Sequence, residues 1–329
     1  MGKGIGLDIG TYAIKTIELN SSKGRYALSG FGYRKIEDHS QEALIDAIKG
    51  VMASSGAASR NVNLSVSGPQ VIMRFVNMPE MSEGEIRSAL AFEVEKNVPF
   101  DPSEVVYDHQ VLERGKDKKL AVLLTAVKKD YLDRYMNIAS ACGLEVSVID
   151  ADSFALANAF LKNFEGSVDP AKTVALMNIG SRYTNLDILR GEALSFSRDI
   201  QMAGRDIDEA IARILNVDIK EAESMKLKPE DALSDMGLPI RTVLGNLADE
   251  VRLSFGYFEN IFAKGIDEIY ISGGSCGLFG LKQFLEEALG AKVNLWDPLK
   301  VVALDAKGAA EIPEALRSSL AVGVGLAMR

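Results

Sequence analysis

The sequence predicts an α/β fold made of two related lobes, with a small α+β subdomain inserted into the first lobe. Strand-like segments alternate with helical segments along the whole chain, which is typical of layered α/β proteins. A strand-turn-strand pattern near the start recurs around Asn178, and this repeat indicates two lobes. The predicted boundaries are residues 1–77 for the start of the first lobe, 78–149 for the inserted subdomain, 150–170 for a return helix of the first lobe and 171–329 for the second lobe.

The composition of the 329-residue chain is that of a globular protein. With 47% hydrophobic and 25% charged residues, the chain can bury the cores of roughly two domains. The net charge is −9 and no run of basic residues is longer than two, which argues against binding of a nucleic-acid backbone. The two cysteines and two histidines leave almost no candidate base for a Ser-His or Cys-His nucleophile.

Charge-free segments of the chain are short. The longest are residues 61–73 and 269–281, well below the ~20 apolar residues that a membrane-spanning helix needs, so we expect no transmembrane segment. The chain runs from Met1 directly into a strand-like segment at residue 4, without the apolar stretch of a secretory leader. We therefore expect a cytoplasmic protein.

The first lobe begins with a predicted antiparallel meander whose strands are separated by polar and glycine-containing turns. The predicted elements are strands at 4–9, 12–19 and 25–35, a helix at 41–54, and strands at 63–67 and 71–76.

The inserted subdomain begins with a capping box. Ser82 and Glu85 have the spacing that starts a helix, and this helix should end before Pro99. The further predicted elements are a hairpin at 104–113 and 119–127, a helix at 130–141 and a strand at 144–149. The return helix of the first lobe is predicted at 152–161.

The second lobe repeats the meander and is then mainly helical. The predicted elements are strands at 173–179, 183–189 and 194–200, helices at 204–215, 219–225 and 240–262, a strand at 268–272, a helix at 278–289, a strand at 292–295 and a final helix from 312 to the end.

Two glycine turns form the main functional motif. The first contains Asp8, Gly10, Thr11 and Tyr12, and the second contains Asn178, Gly180, Ser181 and Arg182. A glycine at the tip of a tight hairpin exposes backbone N–H groups, and the adjacent hydroxyl adds a donor, so each turn suits phosphate oxygens. Two such turns facing each other could hold a polyphosphate between the lobes.

Two charged side chains complete this prediction. Asp8 would contact a hydrated Mg²⁺, because a bare carboxylate repels phosphate. Lys15 lies on the strand after the first turn and has the reach to neutralise a β- or γ-phosphate. A third element, Ser272-Gly273-Gly274-Ser275, follows a strand, and its glycines would let the backbone approach a flat ligand closely.

These three elements resemble the two phosphate motifs and the adenosine motif of the actin-like ATPase superfamily, over essentially the whole chain. The resemblance implies an actin-like fold with duplicated ribonuclease-H-like lobes and binding of ATP or ADP with Mg²⁺. It implies that Glu223 and Lys226 bracket the adenine and ribose, that Gly204 and Arg205 form the ribose-side loop, and that Asp150 positions water and Mg²⁺. Asp8 and Asp150 are then the candidate catalytic residues.

Within that superfamily, the chain is most similar to the PilM family of type IV pilus assembly proteins. Residues 71–79, 92–100 and 321–329 carry this likeness. The family implies a cytoplasmic adaptor at the inner face of the membrane, in a pilus or related secretion system. It would bind the N-terminal peptide of a PilN-like membrane protein beside the insertion and contact other platform proteins, and a homo-oligomer is a further expected assembly. The candidate groove residues are Phe75, Met78, Phe92 and Phe100.

One departure from the superfamily pattern concerns catalysis. Asn178 stands where an aspartate is usual, and an amide cannot take a proton, so we expect ATP hydrolysis to be weak or absent. Two alternatives remain open. An FtsA-like membrane-tethered filament protein would usually end in a basic amphipathic helix, whereas residues 325–329 are small and mostly apolar. A small-molecule kinase would need an acidic base beside the γ-phosphate.

Overall fold

Three β-sheets organise the chain in the computed structural model, which describes residues 2–57, 59–114, 119–226, 237–304 and 312–329. The strands are β1 (Gly2–Ile9), β2 (Ala13–Ser22), β3 (Arg25–Lys35), β4 (Asn61–Val66), β5 (Val71–Pro79), β6 (Val105–Arg114), β7 (Lys119–Lys128), β8 (Glu145–Ala151), β9 (Thr173–Ile179), β10 (Thr184–Arg190), β11 (Ala193–Ile200), β12 (Glu268–Ser272), β13 (Lys292–Leu295) and β14 (Val302–Ala303).

Helices cover these sheets. They are α1 (Gln41–Ser55), α2 (Glu83–Asn97), α3 (Lys129–Ala141), α4 (Asp152–Asn163), α5 (Gly204–Leu215), α6 (Ile219–Lys226), α7 (Gly237–Phe262), α8 (Leu281–Leu289), α9 (Glu314–Arg317) and α10 (Ala321–Ala327). Short 3₁₀ turns occur at Pro102–Glu104, Gly274–Gly277 and Ser318–Leu320. In the described ranges no helix is both long and apolar enough to span a bilayer.

The two large sheets repeat one topology. The six-stranded sheet has the order β14-β3-β2-β1-β4-β8, and the five-stranded sheet has the order β11-β10-β9-β12-β13. In each sheet an antiparallel meander continues into two parallel strands. The predicted duplication of the lobes and the α/β class are therefore confirmed.

Two helices pack between these sheets. Leu156 of α4 and Val324 of α10 are fully buried in the same apolar cluster as Ile17 of the first sheet and Leu176 of the second. Glycines allow a very close approach here, since a Cβ on Gly325 would lie 1.9 Å from the Ala155 carbonyl oxygen. This central layer joins the lobes and fixes the floor of the space between them.

The inserted subdomain has its own core but different limits from those predicted. Its sheet has the order β5-β7-β6, and Met78 and Val122 pack there against Ile86 and Leu90 of α2. By strand pairing the insertion therefore covers residues 71–128 rather than 78–149.

The remaining part of the predicted insertion belongs to the first lobe. Strand β8 pairs in parallel with β4 in the six-stranded sheet, and Ile138 of α3 packs in the same core as Ile48 of α1. The second-lobe range 171–329 also changes, because β14 pairs with β3 of the first lobe and Leu326 of α10 packs beside Gly6 of β1.

Local features follow the sequence closely. The Ser82 hydroxyl accepts a hydrogen bond from the Glu85 N–H while the Glu85 carboxylate accepts one from the Ser82 N–H, so the predicted capping box is confirmed. The single helix predicted from residue 312 is wrong. Helix α9 begins only after Pro313, since a residue before proline is restricted to extended conformations, and a 3₁₀ turn separates α9 from α10.

Candidate functional site

A cleft of about 500 Å³ lies between the lobes, within the usual size range of small-molecule sites. We call it the interlobe cleft. Most of the predicted site residues line it: Asp8, Gly10, Thr11, Tyr12, Lys15, Asn178, Gly180, Ser181, Gly204, Glu223, Lys226, Gly273, Gly274 and Ser275. The three sequence elements, far apart along the chain, thus meet in one cavity.

The first turn places opposite charges at the base of the cleft. Asp8 and Lys15 are register partners across the β1–β2 hairpin, and the Lys15 Nζ lies 2.8 Å from the Asp8 carboxylate. Both side chains are largely buried. A buried ammonium group paired with a single carboxylate retains donors that a phosphate oxygen can accept from.

The second turn is held by the third element. The Gly180 carbonyl accepts hydrogen bonds from the Ser275 hydroxyl at 2.7 Å and from the Gly204 N–H at 3.1 Å. Gly273 has φ +102°, and a Cβ there would lie 2.3 Å from the Ile179 carbonyl oxygen. Only glycine meets both the steric and the conformational requirement, so the Gly-Gly turn packs directly onto the second turn.

The amide of Asn178 is engaged within the second lobe. Its Nδ2 donates to the Asn185 Oδ1 at 2.9 Å, and its Oδ1 accepts from the Ser272 hydroxyl at 3.4 Å. Ser272 does not line the cleft, so it contributes by orienting Asn178 rather than by direct contact.

Glu223 and Lys226 line the cleft, but each has a protein partner. Lys35 forms an ion pair of 2.8 Å with Glu223, and the Tyr12 hydroxyl donates to the same carboxylate. Lys226 is paired with Asp208 at 2.7 Å and donates to the Gly204 carbonyl at 3.1 Å. A ligand reaching this end would meet a network that is already hydrogen-bonded.

Besides Ser272, three predicted residues lie outside the cleft. Arg182 is exposed and does not contribute to its lining. Arg205 does not line the cleft and pairs with Glu209 at 3.0 Å. Asp150 is buried, but its carboxylate is bound by Arg329 at 2.5 Å. Asp150 also does not line the cleft, so its predicted role in positioning cleft water is corrected.

Asp152, which the sequence reasoning missed, takes that place. It is the first residue of α4 and lines the interlobe cleft, where the Ser65 hydroxyl donates to it at 2.5 Å. Burial, followed by the nearby charge of Asp8, raises the pKa of Asp152 to about 6. A carboxylate at the start of the helix that follows β8 was the available signal.

Two tyrosines were also missed. Tyr131 and Tyr135 of α3 line the cleft with ring centroids 5.1 Å apart, and the Tyr131 hydroxyl donates to the Ser67 carbonyl at 3.0 Å. Burial raises the pKa of both phenols, so they remain neutral donors at physiological pH.

The carboxylates suit a hydrated magnesium ion. Asp8 and Asp152 both face the cleft, and Mg²⁺ prefers one or two carboxylates together with water and phosphate oxygens. Across the described ranges no cluster of three His, Cys, Asp or Glu side chains could hold a metal ion by itself. A magnesium ion here would therefore depend on ligand oxygens.

The predicted partner residues differ in accessibility. Met78 is only 3% exposed and belongs to the core of the insertion, so its assignment to a peptide-binding surface is corrected. Phe75 and Phe100 are half-buried. The Lys128 Nζ lies 5.2 Å from the centre of the Phe100 ring. Phe92 is 74% exposed and is freely accessible.

A second cavity of about 220 Å³ lies where the insertion joins both lobes. We call it the seam cleft. Its walls come from residues 66–69, 71–74, 151–153, 183, 197–199 and 201. Ile72 and Met73 of β5 give it an apolar side, and Asp199 and Gln201 give it a polar side.

Comparison with known proteins decides the family. The family described as "Type IV pilus assembly protein PilM" matches residues 6–329. The chain belongs to the PilM family. A solved structure described as the "PilM-PilN type IV pilus biogenesis complex" superposes on this PilM-family chain with a TM-score of 0.87 at 28% identity, covering 99% of this chain and 98% of that one.

Other relatives confirm the actin-like ATPase fold. The FtsA cell division proteins of Staphylococcus epidermidis and Enterococcus faecalis are 23% and 19% identical, over 89% and 90% of this chain and 74% and 79% of their own length. MreB5 of Spiroplasma citri bound to AMPPNP has a TM-score of 0.54 at 14% identity, covering 98% of this PilM-family chain and 94% of that one.

Proposed function

We propose that this PilM-family protein is an ATP-binding adaptor of the type IV pilus assembly platform that binds the cytoplasmic N-terminal peptide of a PilN-like membrane protein. The observation that carries the proposal is the interlobe cleft, in which both glycine turns, the Gly-Gly element and Lys15 converge. The likeness to the PilM-PilN complex supports the choice of partner. Such an adaptor would stay in the cytoplasm and reach the inner face of the membrane through its partners.

The nucleotide would lie with its phosphates between the two turns. Backbone N–H groups and the Thr11 and Ser181 hydroxyls would donate to the phosphate oxygens, and the Lys15 ammonium group would offset their charge. Asp8 and Asp152 would hold Mg²⁺ through water. The Gly273-Gly274 backbone would approach the nucleoside. The AMPPNP-bound MreB5 structure supports nucleotide binding at the level of the fold only.

Hydrolysis should be slow. Asn178 cannot accept a proton, and its amide already has partners on both sides. Four carboxylates line the cleft: Asp8, Asp152, Asp208 and Glu223. Lysines pair with three of them, Asp8, Asp208 and Glu223, so in the described ranges Asp152 is the lining carboxylate without a lysine partner. A general base contributes typically 10²- to 10⁴-fold, so loss of one at position 178 is consistent with a nucleotide that serves binding more than turnover.

The partner peptide would occupy the seam cleft. The inserted subdomain forms one wall, and Ile72 and Met73 supply apolar surface beside backbone groups of residues 67–69. A methionine in such a wall adapts to different side chains. This placement replaces Met78 as a contact and leaves Phe92, on the outer face of α2, as a candidate for other platform proteins.

A filament-forming function is the second candidate, because the FtsA proteins match 89–90% of the chain. Sedimentation of the full chain at high concentration, with and without ATP and Mg²⁺, tests it. Pelleting that requires nucleotide supports a filament, and an unchanged supernatant supports the adaptor.

Calorimetric titration tests the proposed function directly. ATP with Mg²⁺ should bind the wild type and should bind Asp8→Ala and Lys15→Ala at least tenfold more weakly, because each variant removes a charge at the base of the cleft. Asp133→Ala, an exposed residue of α3, is the matched control. A synthetic peptide of the PilN cytoplasmic N-terminus from the same organism should bind in parallel titrations. Absence of ATP binding at millimolar concentration, or of peptide binding, would contradict the corresponding half of the proposal.

A further inference from the structure

The interlobe cleft and the seam cleft share a wall. Ser67, Asp152 and Tyr183 line both cavities. Gly68 follows Ser67 and has φ +90°, a conformation that favours glycine, and its carbonyl accepts the hydrogen bond of the Val71 N–H where β5 begins. A shift of this turn would therefore change both cavities and the root of the insertion.

A chain of hydrogen bonds runs from the second glycine turn to Gly68. The Asn178 Nδ2 donates to the Asn185 Oδ1 at 2.9 Å, and the Asn185 Nδ2 donates to the Asp199 Oδ1 at 2.6 Å. The Asp199 Oδ2 accepts from the Gly68 N–H at 2.5 Å. The first three residues are register partners across β9, β10 and β11, so the sheet holds them in line.

The chain of bonds crosses from one lobe to the other. Asn178, Asn185 and Asp199 belong to the second lobe, whereas Gly68 belongs to the first. Asn185 lines the interlobe cleft but is only 3% exposed, and breaking a buried hydrogen bond leaves a costly unpaired group. The Asp199–Gly68 bond is thus a direct polar link between the sheet that carries the second turn and the start of the insertion.

In this series of side-chain hydrogen bonds, each amide donates toward Asp199. An ionised Asp199 only accepts hydrogen bonds, so Asn185 must direct its Nδ2 toward Asp199 and its Oδ1 toward Asn178. That orientation requires a donor at position 178. An aspartate there would set two acceptor oxygens against each other, whereas the asparagine of this sequence supplies the N–H. Asn178, which replaces the usual aspartate of the second turn, therefore supplies the donor that this hydrogen-bond arrangement requires.

We propose that Asn178, Asn185 and Asp199 are positioning residues that couple occupancy of the interlobe cleft to the shape of the seam cleft. The inference rests on the proposed function, since it takes a nucleotide in the first cavity and a peptide in the second. An anion at the Gly180–Ser181 turn would hold the Asn178 amide with its Nδ2 directed toward the Asn185 Oδ1, and hydrogen bonds in a chain strengthen one another. The Gly68 turn is then held in the arrangement that forms the peptide wall.

Coupling of this kind is measurable as a ratio of affinities. The PilN N-terminal peptide is titrated by calorimetry into the full chain, without nucleotide and with saturating AMPPNP and Mg²⁺, which avoids hydrolysis. The peptide should bind about fivefold or more tightly with AMPPNP, and the peptide should tighten AMPPNP binding by the same factor, because coupling between two sites is reciprocal. A ratio of one in the wild type would overturn the inference.

Two variants break the chain of hydrogen bonds from Asn178 to Gly68, which we call the relay. Asn178→Asp removes the first donor, and Asn185→Leu removes both groups of the middle residue at similar volume. Each should reduce the affinity ratio to about one. Ser195→Ala is the matched control, because Ser195 is a buried, hydrogen-bonded residue of the same strand as Asp199 and lines neither cavity; its ratio should equal that of the wild type.

The outcomes separate this inference from the proposed function. If both relay variants bind peptide and AMPPNP and keep the wild-type ratio of peptide affinities with and without AMPPNP, the relay alone is overturned. Absence of peptide binding under every condition would overturn both. If one relay variant does not fold, as judged by its melting curve, the other variant and the wild-type ratio still decide the result.

Discussion

Lys35 of the first lobe and Glu223 of the second form an ion pair of 2.8 Å across the interlobe cleft. The Tyr12 hydroxyl donates to the same carboxylate, and the Lys35 Nζ lies 4.6 Å from the centre of the Tyr12 ring. The lysine side chain is 44% exposed, so this contact lies at the open edge of the cleft. It therefore connects the lobes where a ligand would enter and leave.

Breaking this contact should speed nucleotide release. A partly exposed ion pair contributes up to about 1 kcal/mol, so Glu223→Gln should raise the dissociation rate of a fluorescent ATP analogue by up to about fivefold. Stopped-flow displacement measures the rate. The double variant Lys35→Glu with Glu223→Lys should return it toward the wild-type value. Lys162→Ala, which removes a pair within α4 and the turn after it, serves as control, and equal rates in all proteins would contradict the prediction.

Residual ATP hydrolysis should depend on Asp152 and not on Asp150. Asp152 faces the cleft and has a pKa near 6, whereas Asp150 is held by Arg329. We expect Asp152→Asn to lower phosphate release at least tenfold and Asp150→Asn to leave it within about twofold. The release rate of the wild type should rise with pH through about 6, as Asp152 ionises. An equal loss in both variants would show that the two positions act alike.

Asn178→Asp should increase phosphate release, because it restores a carboxylate to the second turn. The measurement is steady-state release of phosphate at saturating ATP and Mg²⁺, with Ser195→Ala as the control. A rate no higher than that of the wild type would mean that the missing carboxylate is not what limits hydrolysis.

Local sequence signals predicted most of the fold. The bounds of β3, β9, α5 and β13 agree with the prediction residue for residue, since alternation, turn residues and glycines mark them. Long-range pairing was not encoded in the same way. Nothing near Val71 indicates that β5 pairs with β7, and the two residues of β14 are too few to show a pattern. The limits of the insertion therefore required the structure.

The sequence predicted the parts of the site that depend on glycine turns. It did not predict the parts that depend on which way a side chain is oriented. Gly10, Gly180 and Gly273 were found because their turns need them. Asp150 lies near the end of β8 and Asp152 is the first residue of α4. The two are close in sequence, and only the structure shows that Asp152 is the one that lines the cleft. Met78 was predicted as a groove residue, but its position in β5 places it in the core of the insertion.

Asp187 should make stability depend on pH. It is fully buried on β10, and neither carboxylate oxygen has a partner within 3.5 Å in the described ranges. Burial raises its pKa to about 7, although the nearby Ser197 and Ser153 hydroxyls offset part of this effect. Between pH 4 and 7 the folded state therefore holds a proton that the unfolded state releases. The free energy of unfolding should fall as pH rises through this range, by up to about 4 kcal/mol.

The variant Asp187→Asn isolates this contribution. It should match the wild type near pH 4 and be more stable near pH 8, because an amide carries no charge to bury. Urea unfolding at both pH values measures the difference. Asp133→Asn, on the exposed face of α3, should follow the wild-type pH dependence. A pH dependence for Asp187→Asn that equals the wild-type one would assign the effect to other groups.

The central layer gives a prediction that involves no ligand. A Cβ on Gly325 would lie 1.9 Å from the Ala155 carbonyl oxygen, where α10 crosses α4, whereas a Cβ on Gly256 of α7 would have no atom within 4 Å. Gly325→Ala should therefore lower the free energy of unfolding by about 1–3 kcal/mol through overpacking. Gly256→Ala should raise it by about 0.5–1 kcal/mol, since alanine favours the helix. Thermal unfolding of both variants beside the wild type checks the two signs, and a Gly325→Ala protein as stable as the wild type would mean that the helices separate without cost.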